Sequence, residues 1–73
     1  MSAKEYIAVI EQAQDGSFSA YVPDLPGCAS CGDTVEQVQQ LIGEAIALHI
    51  ESLRHHGDDI PCPSAITIAV PAA

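Results

Sequence analysis

Val22-Pro23-Asp24-Leu25-Pro26-Gly27-Cys28 is followed within a few residues by Gly32-Asp33-Thr34-Val35-Glu36-Gln37. Two prolines and a glycine within five residues neither continue a strand nor start a helix. Apolar runs flank them, so the stretch reads as a rigid elbow inside a compact domain. Thr34-Val35-Glu36-Gln37 then fits a capping box, with the Thr34 hydroxyl accepting from the Gln37 amide and Gln37 reaching back. The acids at 33 and 36 suit the positive end of a helix. The helix is predicted to run from about Val35 to His56. Arg54, His55 and His56 fall in its last turn, and Gly57 follows as the C′ residue. Its length would be roughly 30 Å, enough to cross a small sheet.

Val35, Val38, Ile42, Ala45, Ile46, His49 and Leu53 share one helix face, and Glu36, Gln40, Glu44, Ala47, Glu51 and Arg54 lie opposite. Leu41 and Leu48 widen the apolar stripe on one flank, either as a broad core face or as a contact with another chain. Upstream of the elbow, residues 5 to 11 read as a strand that is apolar on both faces. Tyr6, Ala8 and Ile10 lie on one side and Ile7 and Val9 on the other, so the strand needs two covers. Asp15-Gly16 is a hairpin signal. Ser17 to Val22 returns, with Phe18, Ala20 and Val22 facing one way and Ser17, Ser19 and Tyr21 the other. Cys28 to Cys31 allows a short third strand of poor propensity. Residues 58 to 64 form a loop with two prolines. Ala65 to Val70 reads as a final strand with Ile66, Ile68 and Val70 on one face, stopped by Pro71. The order is β-β-β-α-β, an α+β fold occupying residues 1–73 as one domain.

Seventy-three residues bury only roughly 60% of the unfolded surface, so a partner or a second copy is expected. Apolar residues make up 48% of the chain, which excludes a disordered tail. No apolar stretch approaches the ~20 residues of a membrane span. Met1 to Glu5 carries no hydrophobic signal core, so the expected location is cytoplasmic. Ten acids face only Lys4 and Arg54, for a net charge of −8. Counterion release needs Lys and Arg, so direct nucleic-acid binding is not expected. An acidic surface instead steers basic partners.

Three cysteines without a signal peptide do not read as a disulfide scaffold. Cys28 and Cys31 form a C-x-x-C pair. Zinc would need further ligands, for which Cys62, His49 and His56 are candidates. A redox role would need the pair at a helix start. Here the helix begins only after Gly32-Asp33. His49 reads as a core histidine bonded to a backbone carbonyl, and His55 and His56 as charge–dipole partners. Asp58-Asp59 reads as a solvated pair. No serine sits in a G-x-S-x-G elbow, and no phosphate loop is present. Nothing amounts to a catalytic constellation, and no cofactor is implied.

The ordered set of Tyr6, Asp15-Gly16, Phe18-Ser19-Ala20, Val22-Pro23-Asp24-Leu25-Pro26-Gly27-Cys28, Gly32-Asp33-Thr34, Glu44-Ala45-Ile46, Gly57 and Ile60-Pro61-Cys62-Pro63-Ser64 resembles the HicB-like antitoxin family. The resemblance covers about residues 6 to 64. Cys31 and Cys62 depart from it, at positions expected to be polar or variable. It implies a truncated double-stranded-RNA-binding-like fold: a three- to four-stranded, mainly antiparallel sheet with one long helix on one face, and no RNA binding. It implies a small, basic, RNA-cleaving toxin of HicA type as partner, its active site covered by the antitoxin. Many members add a C-terminal helix-turn-helix or ribbon-helix-helix domain that binds operator DNA. This chain reads as a short form without one.

The leading expectation is therefore a toxin-neutralising binding module. The alternatives are a small metal- or redox-active protein using Cys28 and Cys31, or a solitary regulatory or scaffold domain with a non-toxin partner. For the partner contact the expected residues are Asp24, Leu25 and Pro26 on the elbow, with Glu11 and Asp15 as a second location. Leu25 has the competing role of plugging its own core. A homodimer or higher homo-oligomer built on the sheet is also expected. It would use Ile7, Val9 and Tyr21, extended by Leu41 and Leu48, because one helix covers only one sheet face.

Overall fold

The computed structural model describes residues 5–72. The stretch Met1–Lys4, most of the segment read as lacking a signal core, lies outside the described residues. Strands β1 (Val9–Gln12), β2 (Phe18–Tyr21) and β3 (Ala29–Gly32) are followed by helix α1 (Val35–His55). The three strands form one antiparallel sheet in the order β1-β2-β3. The expected α+β arrangement of an antiparallel sheet with one long helix is thus the observed one.

β1 begins later than the apolar run that announced it. In the β1–β2 register Val9 faces Tyr21 and Ile10 faces Ala20. Continuing that register would set Ile7 against Pro23, which has no N–H to give a ladder. Residues 5–8 are therefore left outside the sheet. At the other end the Asp15-Gly16 signal is met. The Gly16 N–H donates to Ala13 O at 3.0 Å, the Ala13 N–H to Ser17 O at 2.8 Å, and Gly16 adopts φ +91°. That left-handed conformation is costly for any residue with a Cβ.

The helix has both predicted ends. Thr34 Oγ1 accepts the Gln37 N–H at 3.0 Å. Gln37 reaches back one residue further than expected, its Oε1 accepting the Asp33 N–H at 2.6 Å. At the C-terminus the Asp58 N–H donates to Leu53 O and the Gly57 N–H to Arg54 O, with Gly57 at φ +73°. This is a Schellman closure. Ala20, Val22, Leu25, Cys28, Val38 and Ile42 form the buried core between sheet and helix. Ile10, Phe18, Ala45, Ile46 and Ile50 pack around it. Val35 is exposed rather than part of the core face. His49 is only half-buried.

The predicted fourth strand is not there. Ala65–Val70 joins no sheet, and Ile66, Ile68 and Val70 are 86%, 79% and 73% exposed. Alternation of apolar residues specifies a face to be buried and not the edge that buries it. The third strand starts at Ala29, because the Cys28 N–H closes a turn onto Leu25 O.

Candidate functional site

The elbow is two successive turns. The Leu25 N–H donates to Val22 O at 3.1 Å, and the Cys28 N–H donates to Leu25 O at 3.0 Å. Pro23 and Pro26 each occupy the second position of a turn, where their fixed φ is favourable. Gly27 follows Pro26 at φ +86°, as a type II turn requires. A third bond, Val22 N–H to Cys28 O at 3.2 Å, closes the loop at its base.

The outcome for Leu25 corrects its place in the partner contact. Leu25 stands where the two turns join and is fully buried, among the largest buried side chains of the core. A residue held at the mouth of a closed loop projects inward, so Leu25 plugs its own domain. Pro26 remains exposed. Asp24 is half-exposed, and its carboxylate is already engaged. It accepts the Ser64 N–H, the Ser64 hydroxyl and the Ala65 N–H at 3.0, 2.8 and 3.0 Å. The backbone bonds from Ser64 and Ala65, then the Ser64 hydroxyl, hold this carboxyl below its ordinary pKa.

Glu11 and Asp15 lie elsewhere. The antiparallel register puts the Asp15 turn at the Gln12–Phe18 end of the sheet and the elbow at the Val9–Tyr21 end. The five candidate residues therefore do not form one site. Asp15 Oδ1 accepts the Ser17 N–H at 2.9 Å and the Ser17 hydroxyl at 2.7 Å. These two bonds lower its pKa, the hydroxyl first. Both Glu11 and Asp15 are exposed. Along α1, Glu36, Glu44 and Glu51 are exposed as well, giving the helix an anionic outer side.

The expected oligomer contacts divide in the same way. Ile10 packs on the core, so Val9 and its pair Tyr21 line the sheet face away from the helix, while Ile7 lies in the stretch before the sheet begins. Tyr21 is 45% exposed there, and Ile7 and Val9 are half-buried. Leu48 and Leu41 are exposed on the helix instead. They do not simply continue the sheet patch.

The cysteines do not cooperate. Cys28 is in the core, whereas Cys31 and Cys62 are exposed and all three are free. Burial pushes the Cys28 thiol up, opposite to a reactive thiolate. Among the described residues no three His, Cys, Asp or Glu side chains are grouped so as to hold a metal ion. Among the same residues no helix is long and apolar enough to cross a membrane. The Asp24–Ser64 pairing was not foreseen. The only hint in the sequence was Pro63-Ser64, a serine whose backbone and hydroxyl donors suit a carboxylate.

Residues 6–72 match the family described as the HicB-like antitoxin of bacterial toxin–antitoxin systems. A UPF0150 protein of Thermoplasma acidophilum is 40% identical over 68 residues, which is 93% of this chain and 99% of that protein. A UPF0150 protein of Synechocystis is 45% identical over 56 residues, 77% of this chain and 71% of that protein. Among solved structures, the N-terminal domain of the Burkholderia pseudomallei antitoxin HicB is similar, with a TM-score of 0.66 at 27% identity. The match covers 86% of this chain and 69% of that one. With the elbow, the capped helix and the three-stranded sheet in the matching order, this chain belongs to the HicB-like antitoxin family of bacterial toxin–antitoxin systems.

Proposed function

We propose that this protein neutralises a small, basic, RNA-cleaving toxin of the HicA type in the cytoplasm, by covering the toxin's active site. The observation that carries the reading is the charge. A net −8 is spread over a chain of 73 residues whose described acids are, Asp24 apart, all exposed. A nuclease that binds RNA needs a cationic surface, and an anionic protein competes for it by the same Coulombic attraction. The same surplus of acid disfavours direct binding of nucleic acid by this chain. The proposed contact is the elbow around the exposed Pro26, with the hairpin acids Glu11 and Asp15 as the alternative, separate location. Asp24 acts behind the elbow contact by fixing the loop, and catalysis is not part of the role.

The test is whether the neighbouring gene encodes a small basic protein that co-purifies with this chain, followed by an RNA-cleavage assay. The expected result is a stoichiometric complex and loss of cleavage on adding this protein. A purified pair that fails to associate at micromolar concentration overturns the reading.

A further inference from the structure

Asp24 ties the elbow to a segment forty positions later in the chain. It is the third residue of the first turn, between Pro23, whose ring fixes φ, and Leu25, whose side chain is fully buried. The turn therefore sets the direction of its carboxylate. That carboxylate accepts from the Ser64 N–H, the Ser64 hydroxyl and the Ala65 N–H. Three positions before Ser64, the Pro61 carbonyl accepts from the hydroxyl of Tyr6, which packs against the core. Residues 61–65 are thus held at both ends, and their donors fit one position of Asp24. Asp24 reaches that position while both turns are closed and Leu25 is in the core.

We infer that residues 61–65 are a strut that holds the elbow closed, with Ser64 as a positioning residue for the partner contact at Pro26. The part that concerns the partner rests on the toxin reading. An open and a closed elbow differ in this anchor. The closed one makes three hydrogen bonds to an ionised carboxylate, which are stronger than bonds between neutral groups. A partner that docks on Pro26 in its turn geometry selects the same closed state. Two events that favour one state support each other, and the coupling is reciprocal. The strut raises affinity at Pro26, and a partner on Pro26 tightens the anchor at Ser64 and Ala65 by the same factor. Ser64 need not touch the partner to do this.

Substitutions at Ser64 remove donors without altering any elbow residue. Ser64→Thr keeps the hydroxyl and the N–H, Ser64→Ala keeps only the N–H, and Ser64→Pro loses both. Amide exchange of the free full chain reads the elbow at Val22, Leu25 and Cys28, whose N–H groups close the two turns and the base of the loop. Exchange there should speed up from Ser64→Thr through Ser64→Ala to Ser64→Pro, by about tenfold across the series. Val38 and Ile42 in α1 should keep their wild-type rates, whereas a merely structural loss would speed them up as well. Where Ser64→Pro does not fold, Ser64→Ala against Ser64→Thr makes the same comparison.

The second arm is calorimetric titration with the small basic protein of the co-purification test. Ser64→Pro should bind it about tenfold more weakly, and Ser64→Thr as the wild type does. In the wild-type complex, exchange at Ser64 and Ala65 should slow by about the same factor. Elbow amides unchanged across the series, or helix amides that speed up equally, overturn the strut. Faster elbow exchange without loss of affinity overturns the role of Ser64 in the partner contact. A wild type that binds no such protein overturns the toxin reading instead, and the exchange series alone then decides the strut.

Discussion

The Asp24 carboxylate and Ser64, forty positions apart, are joined by two hydrogen bonds, to the Ser64 N–H at 3.0 Å and its hydroxyl at 2.8 Å. With the third bond from the Ala65 N–H, one side chain in the elbow fixes where the C-terminal segment leaves the body. All three partners donate to the ionised form, which is why the pKa falls. The sign follows. A depressed carboxyl stabilises the folded state above its unfolded value of about 3.9, and that contribution is lost as pH falls through the lower folded value. Asp15 adds in the same direction through Ser17. Asp24→Asn should keep the helix and sheet but accelerate amide exchange at Ser64 and Ala65 at neutral pH. In the wild type, acidification through the lowered folded pKa should reduce the protection of the same two amides relative to their intrinsic exchange rates. Unchanged exchange at both amides in the variant would refute the anchor.

Leu25→Ala should be severely destabilising. Truncating a fully buried leucine costs about 2–5 kcal/mol through lost transfer energy and the cavity left behind. That is comparable to the entire stability of a small domain. Leu25→Met, of similar volume, should cost less than about 1.5 kcal/mol. Urea unfolding of the two variants checks the contrast. An alanine variant as stable as the methionine variant would show that the side chain is not a core plug.

Leu25 also shows what the sequence could and could not tell. Pro23, Pro26 and Gly27 announce two turns, because each residue fixes or frees its own φ locally. Thr34 with Gln37, and Gly57, mark the helix ends for the same local reason. Whether a leucine between two turns points in or out depends on what lies across the loop, and no local rule contains that. The same limit applies to Ala65–Val70, whose strand pattern is plain and whose missing partner is not. It applies to the split of Asp24 from Asp15 as well, since register alone puts them at opposite sheet ends.

Thr34→Ala should lower stability by about 1 kcal/mol, the usual cost of losing an N-cap oxygen. In a domain of this size that corresponds to a melting temperature lower by about 4–8 °C. The bond at stake is the 3.0 Å contact from the Gln37 N–H to Thr34 Oγ1. Thr34→Ser should retain most of the stability, since the hydroxyl is what caps. Thermal melts of the three proteins decide it, and equal melting temperatures would deny the cap its role.

The three thiols should separate into two classes. Cys31 and Cys62 are exposed, whereas Cys28 is buried with its thiol pushed up by desolvation. The thiolate is the reacting species, so both access and ionisation protect Cys28. A colorimetric thiol reagent at neutral pH should modify Cys31 and Cys62 promptly and Cys28 only on adding denaturant. Prompt reaction of all three in the native state would contradict the core position of Cys28.

Charge at the hairpin end should set the rate at which a basic toxin is captured. Glu11 and Asp15 are exposed, and Asp15 has its carboxylate fixed by Ser17. Asp15→Asn removes the charge and keeps an oxygen for the turn, so it should fold normally. Combined with Glu11→Lys it removes attraction without touching the core. Steering of oppositely charged partners raises association rates by about tenfold or more and fades with salt. The double variant should therefore bind the toxin about tenfold more slowly at low ionic strength. It should also show a flatter salt dependence and a cooperative melt close to that of the wild type. Stopped-flow association against ionic strength measures this. Equal rates at low salt would move the contact away from the hairpin, to the elbow around Pro26 or to the anionic side of α1.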